Sequence, residues 1–394
     1  MTIPVKKIST FCKTGSGGTP SRSNNAFFEN GTIPWVKSGE LKNRYITEVE
    51  EYITDLAVEK SSAKLVSKGS LLIAMYGATV GEVSQLTFDA TTNQAICNIQ
   101  PDENVCDVNY LYRFLEASKP YLLSRRVGGG QPNLSQGVIK DLVVPLPPLA
   151  EQRRIASILD QADELRQKRQ QAIEKLDQLL QATFIDMFGD PVSNPKGWER
   201  VSAKNVLKIQ GGFAFSSTDF SKSGIPVVKI GNANKLGFST EKFDFIIPQY
   251  PEKLTQYELR SGDLLMSLTG TVGKDDYGNI TEVTDDYDLY YLNQRVAKLE
   301  VINTLFSKNY IRYFFSQSSI KALITKSNRG VRQANISNSD LYELDIPLPT
   351  KAQLDKFDSF IESINETKRY SKVQLISSNK LFFALQNQAF NGTL

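Results

Sequence analysis

Two kinds of hydrophobic pattern alternate along this chain. Short apolar runs such as SLLIAM from Ser70, DLVVPLP from Asp141 and PVVKI from Pro226 are bounded by Gly, Pro or Asn, and read as strands joined by turns. LYRFLEASKPYLLSRR, from Leu111 to Arg126, and YIRYFFSQSSIKALITK, from Tyr310 to Lys326, instead carry apolar residues at helical spacing. A longer stripe follows, with Ile155, Ile158, Ala162, Leu165, Ala172, Leu176 and Leu179 recurring every three or four positions. Leu159, Ile173, Leu180 and Met187 widen it, charged residues and Gln fill the other face, and Gly189, Asp190 and Pro191 stop it after Phe188. At 1.5 Å per residue, roughly 38 residues make a rod of about 57 Å, longer than one small domain can cover. A second stripe of Leu354, Phe357, Phe360, Ile361, Ile364, Leu375, Leu381, Phe382 and Leu385 runs from Lys351 to the C-terminus.

The pattern also repeats. TIPWVKSGEL from Thr32 answers GIPVVKIGNA from Gly224, and GSLLIAMYGATVG from Gly69 answers GDLLMSLTGTVG from Gly262. TNQAI at Thr92 answers LNQRV at Leu292, and GQPNLSQGVIKDLVVPLPP from Gly130 answers VRQANISNSDLYELDIPLPT from Val331. Matches in one order along both halves indicate an internal duplication. The expected fold is α+β: two similar mixed α/β domains, over 1–149 and 191–350, joined by two long antiparallel helices. Those helices form a coiled-coil-like spacer, central over 150–190 and C-terminal over 351–394, in a pseudo-twofold repeat. Arg169 in the first stripe and Thr367, Ser371 and Gln374 in the second put polar groups at seam positions, where they can set register or receive another subunit.

Composition narrows the chemistry. A chain of 394 residues with 40% apolar content can bury more than one core. It contains no histidine, which excludes histidine triads and histidine metal sites. Cys12, Cys97 and Cys106 are an odd number without metal-ligand spacing, and read as reduced thiols. The N-terminus MTIPVKKIST lacks a signal-peptide core and the longest apolar run is LLIAM, so the expected location is cytoplasmic. A net charge of +3 permits a polyanionic partner without establishing one.

No catalytic constellation emerges. GSGGTPS at Gly15 and GTVGK at Gly270 lack the full phosphate-loop pattern and read as turns. SNPKGW departs at its third position from the Asn/Asp-Pro-Pro-aromatic motif of amino-methyltransferases, and the pairs Asp275–Asp276 and Asp285–Asp286 read as solvated loop charges. Two equivalent polar segments, SRRVGGGQPNLSQ from Ser124 and TKSNRGVRQANISN from Thr325, combine Arg with Gly, Gln and Asn. Arg can neutralise phosphates or read guanine, Gln and Asn can pair with adenine, and Gly lets backbone approach closely. Candidate DNA contacts are therefore Arg125, Arg126, Gln131 and Asn133, and in the second copy Lys326, Arg329, Arg332, Gln333 and Asn335. Turns after the repeated strands add Lys37, Ser38, Tyr76 and Thr79, and in the second copy Lys229, Asn232, Thr269 and Thr271.

QPNLSQGVIKDLVVPLPPLAEQRRIASILDQADELRQKR, with its partner motifs in both halves, resembles the specificity subunit of type I restriction-modification systems over essentially the whole chain. The resemblance implies a non-catalytic adaptor in which two target-recognition domains each read half of a bipartite, asymmetric double-stranded DNA site, and helical spacers fix the gap. It also implies docking of two modification (methyltransferase) subunits and of restriction (motor and nuclease) subunits. S-adenosylmethionine, ATP and Mg would then belong to those partners, with no cofactor on this chain. The second copy departs from the pattern, with PLPTKAQLDKF where the first has PLPPLAEQRRI. A stand-alone DNA-binding protein and a helical scaffold without enzymatic activity are the competing readings. In PLPPLAEQRRI the prolines fix the exit of the last strand, and Ala150, Glu151 and Gln152 open a helix with favourable first-turn chemistry.

Overall fold

Proline decides where strand hands over to long helix in both halves. The strand Val143–Pro145 pairs antiparallel with Val5–Lys7, and Asp345–Leu348 pairs with Glu199–Ser202. Past these strands Pro147 and Pro148 offer no N–H for further pairing. A buried tyrosine bonds a proline carbonyl of the last strand each time: Tyr110 Oη donates to Pro145 O at 2.7 Å and Tyr310 Oη to Pro347 O at 2.8 Å. The first long helix then spans Leu149–Phe188, starting one residue before the expected Ala150 because Pro148 O already accepts from Glu151 N and Gln152 N. Gly189, at φ 78°, ends it. The second spans Lys351–Asn391.

The computed structural model describes residues 3–126, 133–272, 274–326 and 333–394. They form two compact units, one of Met1–Gln170 with Lys372–Leu394 and one of Gln171–Ser371, so each long helix contributes to both. In unit 1 a five-stranded sheet has the order Cys12–Ser16, Ile96–Pro101, Leu71–Ala74, Val83–Leu86, Tyr45–Ile46. A four-stranded sheet has the order Tyr52–Ile53, Ile33–Val36, Ala90–Thr92, Leu65–Val66. Unit 2 repeats the plan. Leu207–Gly211, Val296–Val301, Leu264–Ser267 and Ile280–Glu282 form one sheet, and Ile225–Val228 lies beside Tyr290–Leu292 in another. The repeated motifs explain the likeness: Trp35 pairs in parallel with Thr91, and Val227 with Tyr291.

The segments 111–126 and 310–326, helical by periodicity, each fall on a pair of consecutive helices. Val108–Ala117 is followed by Lys119–Ser124, with Pro120 in the first turn of the latter, where its missing N–H costs no hydrogen bond. Lys308–Ser316 is followed by Ser318–Thr325, with Gln317 extended between them. Tertiary contacts hold that break, because Gln317 Nε2 donates to Gln181 Oε1 and Tyr313 O, each at 2.9 Å.

Within each unit the helix segments run antiparallel. In unit 1, Arg154 Nη2 donates to Leu394 O at 2.9 Å, Arg166 lies over the Phe382 ring, and Arg169 Nη1 donates to Gln374 O at 2.7 Å and to Ser378 Oγ. The polar seam position Arg169 is thus satisfied by the facing backbone. Thr367 and Ser371 Oγ donate to carbonyls of their own helix, those of Ser363 and Thr367. In unit 2, Asp177 pairs with Lys368, and Phe184 and Phe188 pack on Phe357 at 5.8 and 5.2 Å. Leu165, Leu179 and Leu381, expected in the stripes, are exposed, since the stripes are wider than the arc one neighbouring helix covers.

The joint between sheet domain and helix differs between the units. In unit 1, Arg113 is 1% exposed, and its guanidinium donates to Asp160, Glu116 and Asp163 at 2.8, 2.9 and 3.0 Å. Burial alone would lower its pKa, but Glu116, Asp160 and Asp163 raise it, so the charge is retained. Buried Gln152 adds bonds to Pro147 O, Val105 O and Asp107 N. At the equivalent positions unit 2 has Tyr313, whose ring packs edge-on against Phe357 at 5.4 Å, and buried Leu354. At these positions one joint is polar and ionic and the other packs through an aromatic ring and a leucine.

Candidate nucleic-acid interface

The same loops meet at one end of the central sheet in each unit. In unit 1 the buried strand Leu71–Ala74 runs into a turn in which Gly77 and Gly81 have φ of 83° and 84°. Met75 N donates to Ala95 O at 2.7 Å, and Met75 O accepts from Leu134 N at 2.8 Å. These bonds bring the TNQAI turn and the segment after residue 132 to the strand end. In unit 2, Leu268 N donates to Arg295 O at 3.0 Å and Leu268 O accepts from Ile336 N at 2.8 Å. There the junction is extended by a ladder pairing Thr269 with Asn335 and Thr271 with Gln333.

Glycine supplies the close approach at this junction. A Cβ on Gly17 would lie 2.1 Å from Thr92 O, and one on Gly212 would lie 2.2 Å from Asn293 O. The glycines of GSGGTPS therefore serve backbone packing, as expected of turns.

The predicted contact residues divide into four groups. Tyr76, Arg125, Arg126, Asn133, Thr271, Lys326 and Asn335 are exposed around the junction. Arg125 stacks over Tyr121 at 5.1 Å and Arg126 Nε donates to Leu123 O at 2.8 Å, which leaves other guanidinium donors facing outward. Thr79 Oγ1 donates to Ser38 O at 2.8 Å, so this pair fastens two loops together. Gln131, Arg329 and Arg332 lie outside the described residues, and Gln333 is described only through its backbone strand.

The remaining candidates are engaged by neighbouring groups or buried. Lys37 Nζ pairs with Glu50 and Glu51 at 2.7 and 2.9 Å, and Lys229 Nζ with Asp244 at 2.5 Å. Asn232 is buried: its Oδ1 accepts from Lys229 N, and its Nδ2 donates to Ser239 O and Lys242 O. Thr269 is buried beneath its ladder. Hydrogen bonds from Arg22 and then Lys37 hold the Glu51 carboxyl at about 2. Asp275 binds Lys235 at 2.6 Å and also Lys321, and Asp276 Oδ1 accepts from Thr271 N at 2.8 Å. Asp275 and Asp276 are exposed, as expected of loop charges, and also fasten their loop.

Sequence reasoning missed Gln94, Gln294 and Arg295, all exposed at the same junction. The signal was present, since TNQAI and LNQRV are repeated turns holding polar side chains between strands. Burial pushes the Cys12 and Cys97 thiols up to about 12, so neither supplies a thiolate at neutral pH. Among the described residues no group of three or more His, Cys, Asp or Glu could hold a metal, and no helix is long and apolar enough to cross a membrane. What the junction presents is guanidinium, carboxamide, hydroxyl and aromatic groups, the set that contacts phosphates and base edges.

Comparison with known proteins agrees with this inventory. The family model described as type I restriction modification DNA specificity domain matches twice, over residues 2–175 and 195–375. The chain is 26% identical over 364 residues to the type I restriction enzyme MjaVIII specificity subunit of Methanocaldococcus jannaschii, covering 86% of this chain and 84% of that protein. It is 27% identical to the MjaIX specificity subunit of the same organism, covering 99% and 93%. Among solved structures, the S subunit of a type I system from M. genitalium superposes with a TM-score of 0.52 at 14% identity, covering 99% and 96% of the two chains. A chain from work on complex assembly and conformational transition of the type I R-M system gives 0.57 at 17% identity over the whole of both chains.

Proposed function

This chain belongs to the type I restriction-modification DNA specificity family, and from that premise we propose how its two units divide the work. The sheet domains, over 1–149 and 191–350, each read one half of a bipartite double-stranded DNA site. Tyr76, Gln94, Arg125, Arg126 and Asn133 make contacts in one, and Thr271, Gln294, Arg295, Lys326 and Asn335 in the other. Gln131, Arg329, Arg332 and Gln333, of the same polar sequence segments, complete the proposal. The long helices set the gap and receive two modification subunits, with restriction subunits joining the assembly. Chemistry that needs S-adenosylmethionine, ATP or Mg takes place on those partners, in the cytoplasm.

The observation that carries this reading is the repeated junction. Two units whose sequences have diverged bring the same turns together through equivalent bonds, Leu134 N to Met75 O and Ile336 N to Leu268 O. Their exposed side chains differ, as two readers of different half-sites require. Each good bidentate contact discriminates by about 1 to 3 kcal/mol, so linking two modest readers multiplies their selectivity.

Co-expression with the cognate modification subunit, followed by mapping of methylated adenines, tests the proposal. A bipartite motif with one constant gap is expected. Inserting one helical turn between residues 165 and 185 should change that gap and leave both half-sites intact. A continuous motif, or an unchanged gap in the insertion variant, refutes it.

A further inference from the structure

In unit 2 the strands Ala233–Asn234 and Gly237–Phe238 form a short hairpin, and its turn carries Leu236. Leu236 is 99% exposed, while the next most exposed large apolar residues among those described reach 69%. A leucine held fully exposed at a turn is available to any apolar surface that meets it. The tip carrying it is firmly mounted. Ala233 is buried, and Phe238 packs edge-on against Tyr290 at 5.6 Å. Asn234 Oδ1 accepts from Leu236 N at 2.8 Å, and Gly237, at φ 115°, lets the chain reverse. Lys235 Nζ donates to Asp275 at 2.6 Å, and the same carboxylate binds Lys321 of the helix Ser318–Thr325.

These ties place the leucine beside the junction already described. Gly231 and Asn234 form one wall of an open cleft of about 510 Å³, and Thr269, Thr271 and Asp276 form the other. Lys235, paired with Asp275, and exposed Lys274 stand close in the chain to residues of this cleft. The register of the repeat puts Arg44 of unit 1 at the position of Leu236, and Arg44 turns inward to Asp160 and Asn109 at 2.7 and 2.9 Å. The projecting leucine is a feature of one unit.

We propose that Leu236 is a wedge that enters the base stack of the half-site bound by unit 2, opening one base step and kinking the duplex there. The inference rests on the reading of unit 2 as a DNA reader. Apolar side chains beside cations act in this way: the opened step covers the side chain, and the bend brings more phosphate to the lysines. Pyrimidine–purine steps open most cheaply, so the wedge would select sequence at a step that receives no base hydrogen bond.

The test uses the full chain assembled with its modification subunits and duplexes of the mapped site, with 2-aminopurine replacing each adenine of the site in turn. Apart from the adenine that methylation takes out of the stack, one further position in one half-site should brighten on binding. Leu236→Ala should return that position to the brightness of free duplex and reduce the bend read by end-to-end energy transfer. Leu236→Met should keep both signals, and the brightening of the methylated adenine should survive in every variant. Specific binding by the unaltered complex without a second bright position overturns the wedge, as does a Leu236→Ala complex indistinguishable from it. If the unaltered complex binds no specific site, the DNA-reading assignment fails first, and that outcome is seen before any variant is made.

Discussion

Replacing Arg113 by Ala removes the cation at the centre of the unit 1 joint. Asp163, itself buried, and the partly buried Asp160 and Glu116 then lose a shared partner. Removing one member of a buried pair typically costs about 3 to 5 kcal/mol, because the remaining charge is left desolvated. Arg166 still reaches Asp163 at 2.5 Å and Arg44 still reaches Asp160 at 2.7 Å, so the lower end, about 3 kcal/mol, is expected. The two tryptophans permit the measurement, since Trp35 belongs to unit 1 and Trp198 to unit 2. In a Trp198→Phe background, urea unfolding followed by Trp35 fluorescence should show the midpoint falling by about 1 M, taking a slope of about 3 kcal/mol per molar for a unit of this size. In a Trp35→Phe background, the Trp198 transition should move far less. Asp163→Asn combined with Arg113→Ala should cost less than the sum of the two, because each removes the same interaction. A Trp35 midpoint shift below about 0.3 M, or equal shifts at both tryptophans, would refute the assignment of Arg113 as the fastener of unit 1.

Three further outcomes follow from the geometry. Glu51 has its pKa lowered from 4.5 to about 2 by Arg22 and Lys37, so its stabilisation is full above about pH 4.5 and disappears as pH falls through 2; Glu51→Gln should flatten the acid dependence of the Trp35 transition in that window. Gly212→Ala forces a Cβ to within 2.2 Å of Asn293 O and should lower unit 2 stability by about 1 to 3 kcal/mol, read as an earlier Trp198 transition with Trp35 unmoved. Cys97 and Cys106 are fully buried and burial raises both thiol pKa values, so iodoacetamide at pH 8 should leave them unmodified in the native chain and label them after denaturation, as mass spectrometry would show.

Much of the architecture was legible because it rests on local rules. Periodicity located both long helices, and Gly189 stands just past the end of the first as the sequence suggests. The repeated motifs proved to be the strands and turns that build equivalent sheets. What the sequence hid was tertiary: Gln317 breaks a helical run because Gln181 and Tyr313 hold its amide, which no local propensity reveals. The site shows the same division. Composition singled out polar loops, yet Lys37 and Lys229 look as free as Arg125 in a string of letters. Only the fold brings Glu50, Glu51 and Asp244 to their ammonium groups. Gln94, Gln294 and Arg295 lie in short turns without the Gly-rich signature, and only the fold shows that these turns share the same strand end.

The unlike joints bear on how interchangeable the halves of such a chain are. A sheet domain cut from the second half and grafted ahead of the first long helix would bring Tyr313 to Asp160 and Asp163, two carboxylates left without the guanidinium that neutralises them. The reverse graft would press Arg113 against Phe357, with Asn365 standing where Asp163 stands in the first half. Repertoire can therefore grow by trading like for like between chains, first half for first half, whereas transposing a reader within one chain requires its socket to change with it.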